Sequence, residues 1–181
     1  VVGSDDDAND GMTLSVTSTL PSWLSFNPTT GVLSGTPLND NVGTQDVTVQ
    51  AEDTAGATGT QTFTITIVNT NDAPSITSTA GTAVDEDATY TYSITTSDVD
   101  VGDTMAITFV CDTCDDGTGT TFLSITDNGD GTATLTGIPL NENVGSHEIT
   151  VTATDGPGAS ATETFTLVVA DTNDAPTIDS Q

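Results

Sequence analysis

The 181-residue chain carries 27 aspartates and glutamates, one histidine and no lysine or arginine, a formal charge of −27 at pH 7. With no Lys or Arg to neutralise phosphates, nucleic-acid binding is excluded, as are a phosphate-loop lysine, Schiff-base chemistry, lysine–asparagine cross-links and direct attraction to anionic lipid. No apolar run is long enough for a membrane-spanning helix, so direct membrane insertion is not expected; carboxylates that cluster at neutral pH must be protonated or neutralised from solution, for which a divalent cation is the obvious agent.

Taken in chain order, the sequence is a repeat. Leu33-Ser34-Gly35-Thr36-Pro37-Leu38-Asn39-Asp40-Asn41-Val42-Gly43 returns as Leu135-Thr136-Gly137-Ile138-Pro139-Leu140-Asn141-Glu142-Asn143-Val144-Gly145. Phe63 returns as Phe165, and Asn71-Asp72-Ala73-Pro74 as Asn173-Asp174-Ala175-Pro176, all at a spacing of 102 residues. Upstream the spacing is 93, Asp5 matching Asp98 and Met12 matching Met105. The second copy therefore holds extra residues, in the stretches Ile107 to Phe122 and Ile125 to Leu135. The expected division is residues 1–74 for the first copy, 75–176 for the second, and 177–181 for the start of a third. On this register Val1 matches Ile94, so the first copy is expected to lack its first strand and part of its second, as a window cut from a longer array.

Within the second copy, short alternating runs separated by Gly, Asn, Asp and Pro predict a β-sandwich. Seven strands are predicted: 75–79, 89–95, 105–110, 121–126, 132–136, 147–153 and 163–169. Nothing reads as a helix. If successive strands run antiparallel, Asp98, Asp100 and Asp103 (after the second strand) and Asp155 (after the sixth) share the upstream end with the linker residues Asn71 and Asp72. Glu86, after the first strand, shares the downstream end with Asp171, Asn173 and Asp174. The first-copy counterparts are Asp5, Asp7, Asp10 and Asp53.

Several other signals have plainer readings. The string Asp127-Asn128-Gly129-Asp130-Gly131 looks like a loop of metal ligands, but it lacks a twelfth-position Glu and reads as a hairpin turn. Cys111-Asp112-Thr113-Cys114 could be a redox site or half a zinc site. With no second CxxC and no following helix, it reads as a disulfide between Cys111 and Cys114 clipping an exposed loop, with free or intermolecular thiols as the alternative. His147 has no nucleophile partner and is expected at the surface. Trp23 matches Phe122 and is expected to pack in the core rather than offer a sugar platform. Paired carboxylates on turns fit metal better than glycoside hydrolysis, which needs an acid of raised pKa in a cleft.

At Leu20-Pro21-Ser22-Trp23-Leu24-Ser25-Phe26, Thr30 to Pro37 and Val42-Gly43, the chain resembles the cadherin superfamily, in particular the bacterial, dystroglycan-type cadherin-like and Ig-like repeats of large surface proteins. Asp171-Thr172-Asn173-Asp174 is similar to the family's linker motif, Asp98-Val99-Asp100 to its DxD, and Ala153-Thr154-Asp155 to its AxD. The sequence departs from the pattern at Asn69, which stands in place of the first linker Asp, and in having no plain counterpart of the mid-domain DRE motif. The resemblance implies an all-β chain of tandem seven-stranded Greek-key (cadherin/Ig-like) sandwiches joined end to end by short acidic linkers. It implies Ca2+, one or two ions per junction, held by the acidic residues named above. The function it implies is a calcium-stiffened extracellular structural or adhesive spacer, not an enzyme. Its expected partners are neighbouring repeats of the same chain or identical subunits, with surface glycans or proteins beyond them. A self-assembling filament subunit completed by strand donation and a carbohydrate-binding module are the alternatives.

Overall fold

A computed structural model describes residues 1–4, 11–115, 121–176 and 178. The chain falls into two compact units, Val1–Thr70 and Asn71–Gln181. Unit 1 contains β1 (Met12–Val16), β2 (Leu24–Asn27), β3 (Val32–Gly35), β4 (Gly43–Asp53) and β5 (Thr58–Ile67). These form a three-stranded antiparallel sheet, β1-β4-β5, and a two-stranded sheet, β2-β3. The period-two alternation of β4 turns Val47 and Val49 inward to meet Leu24, and Trp23, Leu33, Phe63 and Ile65 pack against them half-buried. Trp23 is thus part of the core layer, as its match to Phe122 implied.

Unit 2 contains β6 (Ser75–Ile76), β7 (Ala83–Asp85), β8 (Tyr90–Ser97), β9 (Met105–Val110), β10 (Leu123–Asp127), β11 (Thr132–Gly137), β12 (Gly145–Asp155) and β13 (Ser160–Ala170). Two four-stranded sheets, β10-β11-β8-β6 and β7-β13-β12-β9, face each other across Tyr92, Ile94, Ile107, Leu135, Ile149, Val151 and Leu167. The chain is therefore all-β, and unit 2 is a two-sheet sandwich. Among the described residues its only helical elements are the 3₁₀ turns Asn39–Asn41 and Asn141–Asn143, and no helix is long and apolar enough to cross a membrane.

Two sequence expectations need correction. The first strand of unit 2 is not one run, so the sandwich has eight strand segments rather than seven. Ser75–Ile76 pairs antiparallel with β8, whereas Ala83–Asp85 pairs parallel with β13. Between them Ser78 Oγ accepts the Thr95 N–H (3.0 Å) and Tyr90 Oη donates to the Gly81 carbonyl (2.9 Å), guiding one edge segment from sheet to sheet. His147 is not at the surface. On β12 the inward set is His147, Ile149, Val151, Ala153 and Asp155, and the Cys111–Cys114 loop closes over the ring, leaving it 6% exposed. The Cys111–Cys114 disulfide is formed, with Cys114 fully buried and Asp112 and Thr113 between the two cysteines exposed.

The repeated motif has a local physical reason in both copies. Asn41 Oδ1 accepts the Leu38 N–H at 2.8 Å and Asn143 Oδ1 the Leu140 N–H at 2.9 Å, so each Leu-Asn-x-Asn closes its own 3₁₀ turn. Gly35 and Gly137 are small because the neighbouring backbone is close. A Cβ would lie 2.0 Å from the Trp23 carbonyl oxygen in one copy and 1.9 Å from that of Phe122 in the other.

The copies differ in depth of core. Val1 N donates to the Gly31 carbonyl at 2.7 Å, the place where Ile94 pairs with Ala133 in unit 2. Tyr90 and Tyr92 precede Ile94 on β8 and extend the core of unit 2 beyond the layer that it shares with unit 1. Leu33 and Ile65 stay half-buried there, whereas their matches Leu135 and Leu167 are fully buried. Leu135→Ala should therefore destabilise unit 2 by about 2–5 kcal/mol, and Leu33→Ala should cost unit 1 clearly less, as chemical denaturation of the two variants will show.

Tyr90 and Tyr92 are the chain's two tyrosines. Burial, then the Glu163 carboxylate, which accepts the Tyr92 hydroxyl at 2.5 Å, pushes both up to about 12. The folded value lies above the ordinary 10.0, so this stabilisation is fully present below pH 10 and is lost as the pH rises through about 12. A spectrophotometric titration should show no tyrosinate near pH 10 and a steep rise, coupled to unfolding, near 12. Ordinary titration at 10 would contradict the buried Tyr–Glu arrangement.

Candidate metal centre

The end of β8 and the loop into β9 carry Asp98, Asp100 and Asp103. Gly102, at φ +95°, allows the tight reversal between them, and Val99 and Val101 point outward. Asp98 Oδ1 accepts the Asp100 N–H at 2.8 Å, an Asx turn that fixes the loop from within. Asp100, 5% exposed, uses Oδ2 to accept the Asp72 N–H at 2.7 Å. Asp155 closes β12 on the inward side and is equally buried. Its Oδ1 accepts the Gly158 and Ala159 N–H groups at 2.6 and 2.7 Å, and its Oδ2 accepts Asn71 Nδ2 at 2.9 Å.

Carboxylate oxygens of Asp98, Asp103 and Asp155 all lie within 4.8 Å of one another. Among the described residues this is the one all-carboxylate group of that kind, and Asp98 Oδ2 and Asp103 Oδ2 are buried without a hydrogen-bond partner. Beside them a cavity of about 320 Å³ opens between the loop and Gly129, Asp130 and Gly131. The electrostatics follow the geometry. Burial, then Asp100, Asp155 and Asp98, raises the Asp103 pKa. Burial also acts to raise Asp155, but the Asn71 amide and the two backbone N–H groups outweigh it, and the net shift is downward. A site built only from hard oxygen donors, two of them unpartnered, fits a divalent cation such as Ca2+, which takes six to eight such ligands.

The other sequence-predicted residues sit as follows. Glu86 is 3% exposed, with Oε1 accepting the Thr172 N–H at 2.6 Å and Oε2 buried without a partner. It is held there because Glu86 N–H donates to the Ala170 carbonyl (3.0 Å) and Asp87 N–H to that of Pro139 (2.8 Å). Asp171, Asn173 and Asp174 are exposed, and Asp174 Oδ2 accepts Asn141 Nδ2 at 3.3 Å. In unit 1, Asp53 repeats the role of Asp155, its Oδ1 accepting the Ala55 and Ala57 N–H groups at 2.9 and 2.8 Å. Asp5, Asp7 and Asp10 lie outside the described residues, as does all of 177–181 except Ile178.

The string at 127–131 is the hairpin turn that its sequence suggests. Asp127 Oδ1 accepts the Gly129 N–H at 2.9 Å, and Asp130 Oδ1 accepts both the N–H and the hydroxyl of Thr132, which lowers its pKa. Sequence reasoning missed that this turn walls the acidic cavity; the three-residue insertion that lengthens it in the second copy was the available signal.

An acidic loop at one end of the two-sheet sandwich of unit 2, in a chain whose sequence repeats, is the frame of a cadherin-like or Ig-like repeat protein. Residues 1–68 and 73–170 each match the family described as "Putative Ig domain", and the chain belongs to that family. No curated protein matches the sequence. Among solved structures, the chain is similar to the protocadherin gamma B4 extracellular domain, with TM-score 0.66 and 22% identity over 90% of this chain and 27% of that one. It is also similar to protocadherin gamma B2 extracellular cadherin domains 1-5, with TM-score 0.68 and 17% identity over 90% and 32%. A third likeness is to the protocadherin gamma B7 EC3-6 cis-dimer structure, with TM-score 0.64 and 22% identity over 95% and 42%. The likeness is one of fold, and the chain spans less than half the length of each of these structures.

The charge arrangement makes opposite predictions for two neighbouring aspartates. In chelator, Asp103→Asn should raise the melting temperature of unit 2, because it removes a carboxylate whose ionised form the folded state disfavours. Asp155→Ala should lower it, because three N–H donors lose their acceptor. Differential scanning fluorimetry of the two variants beside the parent checks the signs.

Proposed function

We propose that the chain is a calcium-stiffened spacer of an extracellular structural or adhesive protein, and that it has no catalytic role. The observation that carries this reading is the pair of unpartnered, buried oxygens of Asp98 and Asp103 beside Asp155, in a chain with no internal lysine or arginine. Asp98, Asp103 and Asp155 would hold the ion, with Asp100 beside them, and the ion would supply the positive charge the chain lacks. The protein's own part is to draw in the linker: Asn71 is tied to Asp155 and Asp72 to Asp100. Neutralising that cluster would fix the linker where one repeat enters the next. Each repeat would then be 1–74 and 75–176, with Glu86, Asp171, Asn173 and Asp174 serving the following junction and Asp5, Asp7, Asp10 and Asp53 the preceding one.

The partners in this reading are neighbouring repeats of the same chain or identical subunits. The Cys111–Cys114 disulfide supports an oxidising, extracellular setting. A filament subunit that accepts a strand from its neighbour is the second reading.

Calcium should raise the melting temperature of the chain and narrow its interdomain motion in solution scattering. With affinity of about 10⁻⁴ to 10⁻³ M, a hundredfold excess over Kd would add about 2.7 kcal/mol. Asp98→Asn should remove most of that gain. An unchanged melt and an unchanged scattering profile on chelation would overturn the spacer reading. Assembly that grows with concentration and calcium would favour the filament.

A further inference from the structure

A second cluster stands apart from the carboxylates, and it involves the one histidine of the chain. Cys111 Sγ, Cys114 Sγ and a ring nitrogen of His147 all lie within 4.8 Å of one another. Cys114 and His147 are buried, and Cys111 is half-buried. His147 is held in a defined orientation: Nε2 is 2.6 Å from the Asn143 carbonyl oxygen, to which it can donate, and the Phe122 ring packs edge-on at 5.3 Å. Nδ1 faces Thr113, between the two cysteines, at 2.8 Å from its carbonyl oxygen and 3.2 Å from Oγ1.

We propose that, once its disulfide is reduced, the Cys111–Cys114 loop and His147 form a three-ligand site for a thiophilic divalent metal of the zinc type. A C-x2-C pair brings two thiolates to one ion, and the Cα separation of 5.5 Å already brings the two side chains together. The third ligand is the imidazole. Metal-bound histidines commonly donate their second ring N–H to a backbone carbonyl, and the Asn143 carbonyl is positioned to accept it. That arrangement leaves the Nδ1 lone pair for the metal, replacing the contact with Thr113. The fourth position is left to water. Soft thiolates separate this site from the all-oxygen carboxylate cluster in metal preference.

A dithiol reductant takes up the disulfide by exchange, transferring two electrons and two protons to give two cysteine thiols and its own disulfide. Binding of M2+ then expels both thiol protons. The metal therefore reports the redox state of the loop, being excluded while Cys111 and Cys114 are joined. Nothing comparable can form in unit 1, where Gln45 replaces His147 and the insertion bearing the cysteines is missing.

The test uses the whole chain in excess Ca2+, to fill the carboxylate sites, with Co2+ as the probe. A phosphine reductant opens the disulfide, water supplying the oxygen of the phosphine oxide. The reduced chain should bind one Co2+ with thiolate-to-cobalt charge-transfer absorption and tetrahedral d–d bands, both bleached by Zn2+, and the unreduced chain should show neither. His147→Gln, the residue found in the first copy, should weaken binding by more than the ~10–100-fold that follows loss of an outer-shell partner. Cys111→Ser with Cys114→Ser should abolish the charge-transfer band while near-ultraviolet circular dichroism stays native. Cobalt binding without a thiolate band, equal affinity in His147→Gln, or loss of the native dichroism on reduction of the parent would each overturn the proposal.

Discussion

A chain of 27 acids without one lysine or arginine must satisfy every buried carboxylate by hydrogen bonding, by protonation or by a cation from outside. The hydrogen-bonding solution is applied with some consistency. Asp155 takes two backbone N–H groups of its own turn, Asp53 does the same in the other unit, Asp100 takes the Asp72 N–H, and Glu86 takes that of Thr172. Each of these acids sits where a strand ends and unpaired N–H groups are available. The carboxylate thus stands in for the ladder partner that the turn has lost.

The oxygens left over are informative because the rest are so well supplied. Asp98 Oδ2, Asp103 Oδ2 and Glu86 Oε2 are buried and unpartnered, two at one end of unit 2 and one beside the exit of β13. Desolvation without compensation is expensive, and like charges compound it, which is why Asp103 shifts upward and Asp155, with three donors, shifts downward. Glu163 shows the contrasting case. It spends one oxygen on the Tyr92 hydroxyl and the other on the Ala80 N–H, leaving nothing for an ion.

Much of this was legible in the sequence. The limits of β9 coincide with the predicted run 105–110, and the inward faces of β12 and β13 follow their period-two pattern. The same pattern also put His147 on the inward face, since it is two residues before Ile149. The expectation of a surface histidine came from its lack of a catalytic partner, a chemical argument that ignored the periodicity. The split between β6 and β7 was harder to see, because Thr77 to Thr82 holds small polar residues that suit either an extended strand or a crossing, and pairing with β13 decides it. The Tyr92–Glu163 contact joins residues 71 positions apart and left no local signal.

The linker is not shared evenly between the units. The chain divides at Thr70–Asn71, and both Asn71 and Asp72 are bonded to aspartates of unit 2. Half of a junction is therefore ordered before any cation is considered: the loop from Asp98 to Asp103 is closed on itself, and the linker is pinned against it. An ion arriving there would have little chain to order, so more of its binding free energy would remain as affinity.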